Sequence, residues 1–264
     1  MRCTRPFDAI ALALFVALST APAIADQHAD DVALGRQVYQ NLESKNQIVD
    51  ASPYNAVLQR VGARIARAAQ PHWFTEQFFI IRGNQMNAFS APGGYVFVNE
   101  GLLRAVDDED ELANVLGHET AHLVLGHVFA RNQQQNQRST LYRIGGFLAN
   151  SGIGGSNAQT AYNAGVAAGN YTFLSFTRQQ EYAADQLGVT LAADAGYNPW
   201  GSIWFFAEAD RLEGDAGYEP LVQQHPSTSD RVARIKAYLQ GNPATFGRWS
   251  DVEPPGIGLP MTPS

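Results

Sequence analysis

Residues 107–129 read DDEDELANVLGHETAHLVLGHVF, and this stretch decides what kind of domain the chain can form. Leu112, Val115, Leu116 and Leu123 recur at helical spacing, which predicts a helix from Asp107 to Phe129 with one buried side. Asp108 with Glu111 three residues on makes a capping-box pattern, and the acids around them sit where the helix dipole favours negative charge. Within this helix lies His118-Glu119-Thr120-Ala121-His122, the H-E-x-x-H pattern. One turn of helix puts the two imidazoles on the same face, within reach of a single ion. Glu119, next to the first histidine, can touch a water on that ion without being a ligand.

A catalytic zinc site takes three protein ligands and keeps a fourth position for water. His127 is a tempting third ligand. On a continuous helix, however, it lies half a turn from His118 and points away from the metal, so it reads as a packing or hydrogen-bonding residue. Glu181, in the segment Arg178-Gln179-Gln180-Glu181-Tyr182-Ala183-Ala184-Asp185, fits better. It shares a helix face with Asp185, and Ala183, Ala184 and Gly188 are small enough to let this second helix, expected from Arg178 to Ala195, approach the first closely. Glu181 would then be the third metal ligand, while Asp185 accepts the free N–H of a ligand histidine and fixes its tautomer. The plain alternative, a solvated acidic pair, stays open on these residues alone.

Working outward, Asp31 to Gln70 predicts two helices, carried by Val32, Leu34, Val38 and Leu42 and then by Val57, Leu58, Val61 and Ile65. Gln77–Arg82 and Tyr95–Val98 read as strands, with Pro92-Gly93-Gly94 as a turn and Asn87-Ala88-Phe89-Ser90 as a short extended piece between them. Residues 132–170 shift to Gln, Asn, Gly, Ser and Ala and read as an insertion of helical fragments and turns. Helices are expected over Trp200–Leu212 and Ser229–Leu239, followed by a loose Pro-rich tail from Glu253 to Ser264. The expectation is an α+β fold, mostly helical, with a small β-sheet beside the H-E-x-x-H helix and a single domain from residue 26 to 252.

At the start of the chain Arg2 and Arg5 precede an apolar run, and Ala23-Ile24-Ala25 offers a signal-peptidase site, so residues 1–25 read as a secretory signal peptide. A retained anchor is the alternative. The only cysteine, Cys3, lies inside this leader, so the exported chain forms no disulfide and carries no lipid-modified cysteine. The net charge of −7, with no basic run, argues against a nucleic-acid partner. No stretch is long and apolar enough to predict a membrane helix.

Taken together and in order, Asn87-Ala88-Phe89, Pro92-Gly93-Gly94, His118 to His122, His127, Glu181 to Asp185, and His225-Pro226-Ser227-Thr228 with Arg231 resemble metallopeptidase family 48. That is the gluzincin family of the CAAX prenyl endopeptidases and the bacterial envelope quality-control peptidases. The resemblance implies a zincin-like fold, one Zn2+ per chain and hydrolysis of peptide bonds. Its substrates would be misfolded or misassembled envelope proteins, its compartment the periplasm, and peripheral outer-membrane proteins are possible contacts. The chain departs from some members in showing neither transmembrane segments nor a C-terminal helical-repeat domain.

In the expected mechanism zinc lowers the pKa of its water toward about 7 and Glu119 takes the proton and returns it to the leaving amine. Asn87 to Ser90 is a candidate edge strand that pairs with the substrate backbone, an ordinary covered edge being the alternative. His225 has two functional readings, a latch on the open zinc position or a donor to the oxyanion, beside a merely structural cap. Arg231 is a candidate for the oxyanion or for anchoring the loop. Two rival functions remain on sequence: a zinc-containing chaperone-like or binding module with latched or vestigial hydrolysis, and a zinc hydrolase acting on other bonds.

Overall fold

The computed structural model describes residues 28–128, 176–211, 225, 228–256 and 258–260. The leader expected over residues 1–25, the Gln-rich and Gly-rich insertion, Phe129 and most of the loop around His225 lie outside the described residues.

Alternation along three short strands builds the centre. Strands β1 (Gln77–Ile81), β2 (Ala88–Ala91) and β3 (Tyr95–Asn99) form a mixed sheet in the order β1-β3-β2. β1 runs parallel to β3, with Phe79 opposite Phe97, and β2 runs antiparallel to it, with Phe89 opposite the same residue. Successive side chains point to opposite faces. Phe78, Ile80, Ala88, Val96 and Val98 therefore enter one apolar cluster, while Ile81, Phe89, Ala91, Tyr95 and Phe97 enter another. Both faces are covered, which is why β3 is buried at every position. The turn between β2 and β3 needs its glycines: Gly94 has φ +94°, and a Cβ there would lie 2.3 Å from the Thr75 carbonyl oxygen.

Helix α1, over 28–44, closes one face with Val38 and Leu42. Helix α2 (Asn55–Ala68) closes the other with Val57, Leu58, Val61 and Ile65. The predicted pair of helices is thus present, separated at residues 45–54. A short helix, α3 (Glu100–Ala105), leads from β3 to the central helix α4 (Glu109–Val124). α4 is buried on nearly all sides, packed against α2, the sheet and two later helices. Asp108 caps it by accepting from Glu111 N at 2.9 Å, and Glu111 Oε2 accepts from Asp107 N at 2.7 Å, a capping box displaced by one residue at its return bond.

After the insertion come α5 (Arg178–Asp194), α6 (Gly201–Arg211), α7 (Thr228–Gly241) and the single turn α8 (Pro243–Phe246). Thr177 and Gln180 form a full capping box at the start of α5. Val189, Trp204, Phe206, Ile235, Leu239 and Phe246 join these four helices in a third apolar cluster.

The molecule is a mostly helical α+β fold with a small mixed sheet, as the sequence predicts. Two expectations are corrected. The H-E-x-x-H helix stops at Val124 rather than running to Phe129, because Leu125 caps it and Gly126 turns left-handed at φ +70°. The Pro-rich tail is not loose throughout: Leu259 is buried in the main core, and Gly256 lies against the Asp107 carboxylate.

Candidate metal centre

α4 and α5 cross where both present glycine. A Cβ on Gly117 would meet Gly188 O at 2.6 Å, and one on Gly188 would meet His118 N at 2.9 Å. This contact brings His118 and His122 from α4 against Glu181 from α5, and His225 arrives from the segment before α7. The ligand atoms of these four residues all lie within 4.8 Å of one another. His118 Nε2 is 3.1 Å from His122 Nε2, 3.2 Å from His225 Nδ1 and 3.5 Å from Glu181 Oε2. His122 Nε2 is 3.6 Å from Glu181 Oε1, and His225 Nδ1 is 3.0 Å from Glu181 Oε2. Four donors placed tetrahedrally about 2.0 to 2.1 Å from one ion would be about 3.3 Å apart. The observed spacings bracket that value, and two or three imidazoles with a carboxylate are a donor set that zinc accepts.

Each of the two α4 histidines is held from behind. His118 Nδ1 lies 3.1 Å from Asp185 Oδ1. Asp185 is itself gripped by Arg231, whose Nε and Nη2 donate to its two oxygens at 2.9 and 2.6 Å. Arg231 Nη1 reaches Glu181 Oε2 at 3.0 Å, and the guanidinium rests over the Phe206 ring. His122 Nδ1 lies 3.0 Å from His127 Nδ1. His127 thus turns toward the centre, not away from it, because the left-handed Gly126 interrupts the helix on which the opposite orientation depends. Its contact is with the back of His122, so it remains outside the four-donor group.

Charge follows from this packing. Burial favours a neutral Glu181, but His225, His118 and Arg231 outweigh it and hold the carboxyl well below its ordinary value. Burial works against charge on His118 too, yet its hydrogen bonds with Asp185 and Glu181 push its pKa up to about 9. Burial and the neighbouring His118 charge keep His122 well below the usual imidazole range. Burial raises Glu119, opposed by His225 and His118. Ser90 lies close enough to draw Glu119 down as well, although neither Ser90 Oγ nor Glu119 Oε2 completes a hydrogen bond. Glu119 Oε1 is 3.5 Å from His225 Nε2.

Among the described residues β2 has β3 as its only strand neighbour, so it is an edge of the sheet they form. Asn87, Ala88 and Phe89 are buried and Ser90 is half-buried, which leaves the backbone edge rather than the side chains to meet a peptide. Arg231 donates to Asp185 and pairs with Glu181, and it also lines the cavity that His118, Glu119 and His225 border. Phe176, stacked 3.7 Å from the His122 ring, was not foreseen. Nothing in its sequence neighbourhood distinguishes it from an ordinary apolar residue.

A helix with H-E-x-x-H, crossed by a second helix that brings a glutamate to the same point, is the architecture of a metallopeptidase. Residues 53–239 match the family model for peptidase family M48, and the chain belongs to that family. It is similar to the putative beta-barrel assembly-enhancing protease of Vibrio cholerae, 30% identical over 74% of this chain and 41% of that protein. It is also 30% identical to the mitochondrial metalloendopeptidase OMA1 of Schizosaccharomyces pombe, over 71% of this chain and 53% of the relative. The metalloprotease LoiP of Escherichia coli is 26% identical over 77% of this chain and 78% of its own length. The chain thus spans about half or less of the length of the first two relatives. Among the described residues no helix is long and apolar enough to cross a membrane.

Proposed function

We propose that this chain is an exported zinc endopeptidase of the gluzincin type, in which His118, His122 and Glu181 hold one metal ion. The observation that carries the reading is the convergence of these three donors from two helices at tetrahedral spacing, beside Glu119 Oε2, which is buried with no hydrogen-bond partner among the described residues. Zinc bound there supplies a Lewis acid toward water and the peptide carbonyl. Glu119 accepts the proton released as water attacks and delivers it to the departing amine. Burial raises its pKa above the ordinary carboxylate value, the direction that helps a base also return the proton. Asp185 and His127 fix the ring orientations of His118 and His122, and Arg231 acts through Asp185 and Glu181 as a positioning residue. The open edge of β2, Asn87 to Ser90, aligns an extended substrate by backbone pairing.

His225 completes the donor group and contacts Glu181 more closely than it does Glu119. That favours its role as a latch on the position that water would occupy. Cleavage of the leader before Asp26, a domain over 26–252 and delivery to the periplasm belong to the same reading, as do misfolded or misassembled envelope proteins as substrates. The name of the Vibrio cholerae relative, a putative beta-barrel assembly-enhancing protease, supports that direction. Digestion of an unfolded reporter protein by the zinc-loaded chain tests it: Glu119→Gln is expected to keep about one zinc per chain and lose hydrolysis. Equal digestion by both forms would overturn the assignment of the base, and no digestion by either would favour a binding module.

A further inference from the structure

The ring of His225 meets Glu181, His118 and Glu119, and α7 begins at Thr228, three residues further on. Three residues span at most about 10 Å, so the first turn of α7 sets where this arm can reach. That turn is tied to α5 on two sides. On the buried side Arg231 donates to Asp185 and pairs with Glu181. On the solvent side Asp230 accepts from the Tyr182 hydroxyl. Arg234, one turn along α7, lies over the Tyr182 ring at 4.0 Å and 3.6 Å from the Asp230 carboxylate.

The two helices run side by side in the same sense, because Tyr182 meets Asp230 and, two turns on, Thr190 Oγ1 lies 3.4 Å from the Tyr238 hydroxyl. On the solvent side between these two contacts a groove of about 390 Å³ is open, lined by Tyr182, Asp185, Gln186, Arg234, Ile235 and Tyr238. Continuous packing therefore does not hold the outer side of α7 near the metal centre. Tyr182 does, at the end of the groove, and it adjoins the ligand Glu181 just as Asp230 adjoins Arg231.

We propose that Tyr182 is a positioning residue: through Asp230 its hydroxyl clasps the first turn of α7 to α5 and so keeps His225 on the metal position. The inference rests on the zinc endopeptidase reading with His225 as a latch. Arg231 holds the inner side whether or not the clasp is made. An exposed contact carries little energy, so losing it should raise the fraction of open sites by about 2- to 5-fold rather than free the arm entirely.

Tyr182→Phe tests this, since it removes the hydroxyl and keeps the ring under Arg234. On the zinc-loaded chain it should raise turnover of an unfolded reporter protein and tighten calorimetric binding of acetohydroxamate, a small ligand for the open zinc position, each by about 2- to 5-fold. Asp230→Ala should act in the same direction, and the two changes together should do no more than Asp230→Ala alone, because either one breaks the same bond. In a His225→Ala background Tyr182→Phe should be silent, whereas a general loosening of the fold would persist there. A further readout needs neither zinc nor turnover: in the metal-free chain diethylpyrocarbonate should modify His225, followed by mass spectrometry, about 2- to 5-fold faster in Tyr182→Phe than in the native protein. Modification that is no faster overturns the clasp, as does a gain in turnover that persists without His225. Faster modification without a gain in turnover keeps the clasp and overturns the latch, and faster modification with no cleavage by any form overturns the endopeptidase reading.

Discussion

At the scale of single residues, the proposed metal ligands can be told apart from the residues that hold them. Glu181→Ala removes a donor and leaves the Arg231 guanidinium short of a carboxylate, so zinc affinity should collapse. His127→Ala removes only the contact behind His122 and should weaken zinc by about 10-fold, the lower end for a group that orients a ligand. Competition with a chromogenic chelator measures both, and equal losses would move His127 into the donor set. His225 gives a test of opposite signs. If it latches the open position, His225→Ala should raise turnover of an unfolded reporter several-fold while loosening zinc modestly; if it donates to the oxyanion, turnover should fall. The sequence made Glu119, His118 and His122 legible because their spacing alone sets one helix face. Phe176 was not legible, since what matters in it is a ring stacked on His122 across the fold, which leaves no pattern in the chain.

Helix elements carry the next level of the argument, because the site exists only where α4 and α5 touch. Small residues on the second helix announced a close approach, and the structure puts it at Gly188 against Gly117 and His118. Gly188→Ala would place a methyl 2.9 Å from His118 N, against backbone that cannot move aside. The helices should part, at a cost of about 1–3 kcal/mol, with zinc affinity falling alongside. Gly241→Ala is the control: a Cβ there meets nothing within 4 Å, and it should be neutral or slightly stabilising. Thermal melts with a zinc titration check both. The end of α4 was misread for a physical reason. Apolar residues continue past the helix end at Leu125 and Val128 and no proline marks a stop, so composition shows no boundary, whereas the left-handed Gly126 ends the helix and swings His127 inward. A glycine near a helix end permits that turn without requiring it.

For the whole molecule, the strand-like runs foretold a small sheet, but not that both its faces would be covered or that β3 would sit in the middle, because pairing and packing depend on contacts far apart in sequence. The tail was unreadable for a similar reason: Leu259 finds its place in the core only once α4 and its neighbours have built the site for it. That closure concentrates acid where the tail passes the start of α4. Burial pushes Glu111 up to about 8 against the hydrogen bond from Asp107 N, with Asp108, Asp107 and Glu253 adding to the rise. A folded carboxyl that titrates above its unfolded value of 4.5 keeps a proton that the unfolded chain has released. Stability from this group is therefore present at low pH and is lost as pH rises from about 4.5 through about 8, by on the order of 1–3 kcal/mol. Glu111→Gln keeps an acceptor for Asp107 N and cannot ionise, so it should melt higher than the native chain at pH 8 and approach it near pH 5. Comparing the two proteins in the same zinc-containing buffers cancels titration of the donor cluster, and a difference in melting temperature that stays constant from pH 5 to 8 would show that Glu111 is ionised throughout.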